Sequence, residues 1–330
     1  MKVEHLNYLR CPKTGQPLTL EAELLEGDRV RTGRLISSDG TAYPIIDFIP
    51  RFVSSDNYSE NFGFEWKLHS RTQYDDDAGH SMSEKRIFEV SGWDRDLKGE
   101  LLLEAGSGSG RFTEHLLKTG VMVVSFDYSQ AVEPNYASNG QHPNLLLVQG
   151  NIYEMPFKKA AFDKVFCFGV LQHTPDPEGS FKALVSMLKP GAKLATDIYL
   201  KTIKRYYLNT RYWVRPFTRN MKSKKLYDRC VAYINFMWPL ARLIRRIPKV
   251  GEAINWRLLI ADYSIQMPDA DDETLKTWAY LDTFDMLSPA FDIPQSPKTF
   301  QRWHDQAGLE DIEVKLGPNG VVGTASRPYQ

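Results

Sequence analysis

Between residues 100 and 200 the apolar positions of this chain fall into five short runs, near 101–104, 121–126, 145–148, 163–168 and 193–198. Runs apolar at nearly every position, as 121–126 and 145–148 are, suit strands buried on both faces, whereas a half-solvated strand would alternate. The intervening segments near 111–119, 129–138 and 178–188 space their apolar residues as helices do. Alternation of this kind predicts an α/β fold with a doubly wound parallel sheet. A helix is also expected over 83–93, with Ile87, Phe88 and Val90 on its apolar side, and another over 297–308, closed by Gly308. The final 309–316 and 321–325 runs then form a hairpin across Gly317-Pro318-Asn319-Gly320.

The first run ends in an acid and three alternate glycines: Glu104-Ala105-Gly106-Ser107-Gly108-Ser109-Gly110-Arg111. Glycine lets the backbone turn sharply and approach a ligand with no Cβ between them, and a helix start offers unpaired N–H groups. The dinucleotide fingerprint wants a third glycine three residues after the second, where Arg111 stands, so NAD and FAD are disfavoured. The second run ends at Asp127, 17 residues after Gly110, close to where doubly wound folds place the acid that binds ribose hydroxyls.

Further segments follow in order: Gly150-Asn151-Ile152-Tyr153-Glu154-Met155-Pro156-Phe157, Val170-Leu171-Gln172-His173-Thr174-Pro175-Asp176-Pro177, and Leu188-Lys189-Pro190-Gly191. With the glycine turn and Asp127 they resemble a class I S-adenosylmethionine-dependent methyltransferase with a seven-stranded Rossmann-like sheet. The resemblance implies that Glu104, Gly106, Gly108 and Gly110 line the methionine and ribose of S-adenosylmethionine. It implies that Asp127 holds the ribose and that Asn151 and Ile152 lie by the adenine. The family usually carries Asp at the position of Asn151.

Methyl transfer from a sulfonium is an in-line displacement that relies on positioning, helped by a base when the nucleophile is a hydroxyl or amine. His173, after the fourth run, is the candidate base, because loops at the C-terminal ends of parallel strands meet the ligand. Asp197 and Tyr199 are secondary candidates; each also suits a satisfied polar residue at a strand end. The aromatic segment 57–66 reads as packing, or as a lid in which Tyr58, Phe62 or Trp66 closes over the cofactor.

The composition, 42% hydrophobic and 25% charged, is that of an ordered chain. The zero net charge hides an asymmetry: 201–260 carries 15 Lys and Arg against Asp228 and Glu252. We read residues 1–53 as a small β module, 54–200 as the cofactor-binding core with its lid, 201–291 as a basic, aromatic helical cap, and 292–330 as the return to the sheet. The apolar stretch 231–240 is far shorter than the ~20 residues that span a bilayer. Rings beside Arg and Lys suit a solvated cap, an anionic membrane surface met through 201–260, or, less well, RNA. Asp282, Asp285 and Asp292 stand near the return to the core, where they could meet a polar substrate or water.

Three widely spaced cysteines and no apolar leader lead us to expect a reduced, cytoplasmic protein, at the inner membrane face if 201–260 binds lipid. The segment Tyr8-Leu9-Arg10-Cys11-Pro12-Lys13-Thr14 resembles the zinc-ribbon-like Trm112 family, with Thr14 where metal-binding members have a second Cys. A tetrahedral zinc site needs four ligands that this segment lacks, so no metal is expected. The sequence thus favours a methyltransferase acting on a small-molecule or lipid-linked acceptor, such as a glycolipid, sugar or isoprenoid. The alternatives are an rRNA or tRNA methyltransferase and a non-catalytic protein that keeps the cofactor pocket to serve a partner.

Overall fold

A computed structural model describes the chain except residues 55–56, 79–80, 203–208 and 330. The basic stretch Lys204-Arg205-Tyr206-Tyr207 lies outside the described residues. Four strands, β1 (Thr19–Glu26), β2 (Arg29–Ile36), β3 (Ala42–Ile46) and β4 (Ile49–Pro50), form an antiparallel N-terminal sheet in chain order. The main sheet holds β5 (Leu101–Ala105), β6 (Met122–Asp127), β7 (Leu145–Gln149), β8 (Phe162–Cys167), β9 (Leu188–Ile198), β10 (Glu310–Gly317) and β11 (Gly320–Ser326). Its order is β10-β11-β9-β8-β5-β6-β7, with β11 alone running antiparallel to the other strands, which is a Rossmann-like methyltransferase sheet.

Each continuous apolar run forms a strand of this sheet, and the side chains of β7 are buried along its whole length. The strand β9 begins at Leu188, well before the expected 193, so that Pro190 and Gly191 lie within it. Pro190 breaks no ladder there, because the register between β8 and β9 is interrupted between Phe162 and Lys164.

The helices that matter for the site are α1 (Glu60–Leu68), α2 (Met82–Ser91), α3 (Arg111–Lys118), α4 (Val132–Asn139) and α5 (Pro177–Val185). Asp176 caps α5 by accepting the Gly179 N–H at 3.0 Å, with Pro177 in the first helical position. The segment after β9 supplies α6 (Thr210–Thr218), α7 (Ser223–Ile244), α8 (Gly251–Arg257) and α9 (Asp272–Leu287), and α10 (Pro297–Gln306) packs on β10 and β11. The helices α7 and α9 enclose an apolar cluster of their own that includes Ile234, Trp238, Leu275 and Trp278.

The N-terminal module is not a separate body. Leu9, Val30, Leu35 and Ile45 belong to the same buried cluster as Leu103, Val124 and Phe126 of the main sheet. Leu9 bridges to Phe157, Arg51 donates to the Gln149 side chain at 3.0 Å, and Phe48 stacks on Tyr136 at 5.4 Å. Asn61 of α1 ties that helix to the cap: its amide donates to the Ser288 carbonyl at 2.7 Å, and its carbonyl oxygen accepts from the Ser223 hydroxyl.

Candidate active site

The glycine turn is held from two sides. Gly106 and Ser107 donate their N–H groups to the Phe126 carbonyl at 2.8 and 3.1 Å, binding the turn to the end of β6. Gly108 donates to one carboxylate oxygen of Asp127 at 2.9 Å. The other oxygen of Asp127 accepts from the N–H and hydroxyl of Ser129, at 2.8 and 2.7 Å. Gly106 has φ +77°, and a Cβ there would lie 2.1 Å from a Val170 methyl group. Only glycine fits that position. Burial pushes the Asp127 carboxyl above its usual range, against the pull of these hydrogen bonds.

The turn opens onto a cavity of about 1240 Å³. This exceeds the ~300–1,000 Å³ of an ordinary small-molecule site, so a cofactor and a second molecule can share it. Gly106, Gly108, Asp127, Ile152 and His173 line it, and so do Tyr58, Phe62 and Trp66 of the expected lid. Trp66 sits against the turn, its indole nitrogen 3.3 Å from where a Gly108 Cβ would be. Ring contacts join Tyr58 to Tyr128 at 4.9 Å and Phe62 to His173 at 5.2 Å.

Three of the expected cofactor contacts, Glu104, Gly110 and Asn151, do not line this cavity. Glu104 turns beneath the glycine turn, where one of its oxygens accepts from Thr113 at 2.6 Å and Ser125 at 2.7 Å. Its other oxygen has no partner among the described residues, and burial pushes its pKa up to about 7. Gly110 starts α3, and a Cβ there would strike the side chains of Asn135 and Asn139. Asn151 points its amide oxygen at the Tyr153 N–H, 3.1 Å away. The first two build the support on which the turn rests.

His173 lies in a short 3-10 turn after β8 and is 8% exposed. Its Nδ1 is 3.0 Å from the Phe291 carbonyl oxygen, which can only accept, so Nδ1 carries the hydrogen and Nε2 the lone pair. Burial keeps the imidazole pKa below its usual value, although Asp292 and the Phe291 carbonyl pull the other way. Tyr199 also lines the cavity, edge-on to His173 at 5.3 Å. Asp197 does not; it accepts from Arg86 and from the Gly169 N–H, the latter at 2.6 Å.

Sequence reasoning missed Glu65, Arg86, Arg111, Tyr263 and Trp278, all of which line the cavity. The signal for Glu65 was available: it lies on α1 between Phe62 and Trp66, at the three- and four-residue spacing of one helix face. Arg111 was noticed only as the residue that spoils a dinucleotide fingerprint. Among the described residues no group of three His, Cys, Asp or Glu is arranged to hold a metal ion. Cys11 lies 3.4 Å from the Tyr43 hydroxyl.

Residues 103–196 match the family model described as a methyltransferase domain. A ubiquinone biosynthesis O-methyltransferase of Coxiella burnetii is 30% identical over 148 residues, 43% of this chain and 59% of that protein. One from Xanthomonas oryzae pv. oryzae is 29% identical over 129 residues, 38% of this chain and 52% of its own length. The chain therefore spans between half and three-fifths of these curated relatives. Human N-acetylserotonin methyltransferase, solved with S-adenosylmethionine, is 13% identical with TM-score 0.40, over 82% of this chain and 57% of that one. The family match over 103–196, on a Rossmann-like methyltransferase sheet with a glycine turn and a facing acid, supports a class I S-adenosylmethionine-dependent methyltransferase.

Proposed function

We propose that this protein transfers a methyl group from S-adenosylmethionine to a small-molecule acceptor, with His173 as general base. The observation that carries the reading is the glycine turn bonded to Asp127 at the wall of the same cavity that His173 lines. When bound, the cofactor supplies a methyl on a positively charged sulfur, which leaves as a neutral thioether. Asp127 keeps lone pairs for ribose hydroxyls; hydrogen bonds to a charged group contribute roughly 1.5–3 kcal/mol each. Gly106 and Gly108 let the ligand approach the backbone, and Trp66 and Phe62 keep water from it. His173, neutral with Nε2 unprotonated, takes the proton of an acceptor hydroxyl or amine. The similarity to O-methyltransferases makes oxygen the favoured acceptor atom.

We further infer that the acceptor is met at an anionic lipid surface. Tyr233, Phe236, Leu240 and Leu243 recur at intervals of three and four along α7 and face outward; Phe236 is 82% and Leu243 61% exposed. Lys222, just before α7, and Lys225 and Arg229 on it precede this stripe, and Arg246 and Lys249 follow it, all exposed. An apolar centre flanked by bases suits insertion between anionic headgroups better than RNA, which wants charge along its whole contact. No helix among the described residues is long and apolar enough to cross a membrane. We read the N-terminal sheet as a metal-free Trm112-like unit that braces β7.

Calorimetry with S-adenosylhomocysteine, followed by transfer of labelled methyl into fractionated cell extract, tests the reading. Saturable binding and label in lipid or small polar material are expected. No binding, or label confined to RNA, overturns it.

A further inference from the structure

One end of the cavity carries chemistry that the cofactor does not account for. Trp278, Asp282 and Asp285 recur at four and three residues on α9 and all face the cavity, opposite Phe62, Glu65 and Trp66 of α1. Glu65 is 1% exposed, and its Oε2 has no partner among the described residues. Asp285 forms no hydrogen bond or ion pair with any described residue, and Asp282 holds the Tyr263 hydroxyl and the Gln73 amide, the latter at 3.2 Å. A buried Glu65 oxygen with no partner is costly even though burial and the neighbouring acids raise its carboxyl well above the usual range, which points to a ligand that hydrogen-bonds it. Consistent with that burial and mutual crowding, the Asp285 carboxyl is pushed up to about 7 and that of Asp282 to about 6.

The same space contains guanidinium groups. Arg111 lies over the Phe112 ring at 4.6 Å and forms no ion pair among the described residues. Arg211 lies over Tyr199 at 5.3 Å and is 3.7 Å from Asp292. A cationic ligand would meet these arginines, and an anionic one would meet three acidic side chains whose pKa values its charge would raise further. A neutral molecule bearing several hydroxyls satisfies both, because each hydroxyl can donate to a carboxylate and accept from a guanidinium. The flat rings of Trp66, Trp278 and Tyr263 offer apolar walls for its C–H faces.

We propose that this end of the cavity binds a neutral polyhydroxylated, sugar-like acceptor, with Glu65 and Asp285 accepting from its hydroxyls and Arg111 donating to them. The proposal rests on the methyl-transfer reading for the word acceptor, and its test does not depend on turnover. Saturation-transfer NMR is run on the full chain, with and without S-adenosylhomocysteine. The probes are methyl glycosides of glucose, galactose, mannose and rhamnose, with spermidine as the cationic and D-glucuronate as the anionic comparison.

Saturation of at least one neutral glycoside is expected, reduced at least fivefold in Asp285→Ala and in Glu65→Gln while S-adenosylhomocysteine affinity stays within twofold. If Asp285→Ala loses S-adenosylhomocysteine binding, the isosteric Asp285→Asn replaces it, with the same expected loss of glycoside signal. No saturation of any neutral glycoside, saturation of a charged probe alone, or a glycoside signal indifferent to both substitutions overturns the proposal. Glycoside failure with S-adenosylhomocysteine bound sinks the sugar-like acceptor alone; failure of S-adenosylhomocysteine to bind sinks the methyl-transfer reading instead.

Discussion

The Nδ1 of His173 lies 3.0 Å from the carbonyl oxygen of Phe291, so the segment that returns from the cap to the sheet decides which nitrogen of the imidazole is basic. His173→Ala should lower kcat by about 10²–10⁴-fold with S-adenosylhomocysteine affinity kept. The base works in its neutral form, and its pKa is lowered mainly by burial. Activity should therefore hold as pH falls through the usual histidine range and drop only below it. A rate profile with its acid limb at or above the ordinary imidazole pKa, or a fully active alanine variant, removes His173 from the chemistry.

Asp127 joins the glycine turn to the cavity wall, and its loss should be felt in cofactor affinity before stability. Asp127→Ala is expected to weaken S-adenosylhomocysteine binding more than tenfold, or by above ~1.4 kcal/mol, in calorimetry. Gly106→Ala should do more, because a left-handed backbone and a methyl pressed onto Val170 together cost roughly 2 kcal/mol or more of stability. A melting curve unchanged by Gly106→Ala would show that the turn relaxes.

Glu104 carries a stability signature. Its pKa is raised to about 7 in the folded protein by burial, so the native state holds a proton that the unfolded chain releases at lower pH. Stability contributed by this proton is present at acid pH and is lost as pH rises from the ordinary carboxyl value through about 7. Glu104→Gln, which keeps a neutral side chain, should gain on the wild type over that interval by an amount on the order of 3 kcal/mol. Denaturant titrations at several pH values measure the difference; curves that stay parallel contradict the assignment.

The outward stripe of α7 makes the lipid reading measurable without turnover. The wild-type chain should float with vesicles containing anionic lipid and remain behind with zwitterionic ones, and Phe236→Ser with Leu243→Ser should abolish flotation without changing the melting temperature. Flotation that survives the double substitution, or is indifferent to vesicle charge, excludes this face as the contact.

Much of this arrangement was legible in the chain, because short apolar runs bounded by turn residues suit buried strands and alternate glycines suit a tight turn. Together with the family resemblance, that was enough to bring Gly106, Gly108 and Asp127 to one cavity wall. The places of Glu104 and Asn151 do not. Whether an acid at a strand end faces ligand or protein depends on Thr113 and Ser125, which lie 9 and 21 residues away and compete for the same carboxylate. The polar end of the cavity was equally hidden, since Glu65 and Asp285 are 220 residues apart and meet only when the cap folds over α1.

Asn61 hydrogen-bonds both Ser288 at the end of α9 and Ser223 at the start of α7, so the aromatic helix over the glycine turn and the cap that holds the polar end are latched together. Neither cover can swing alone without breaking that latch. Phe64 against Phe284 and His69 on the Tyr227 hydroxyl reinforce that tie, so the two covers form one joined roof, and Asn61→Ala should loosen the joint without parting it.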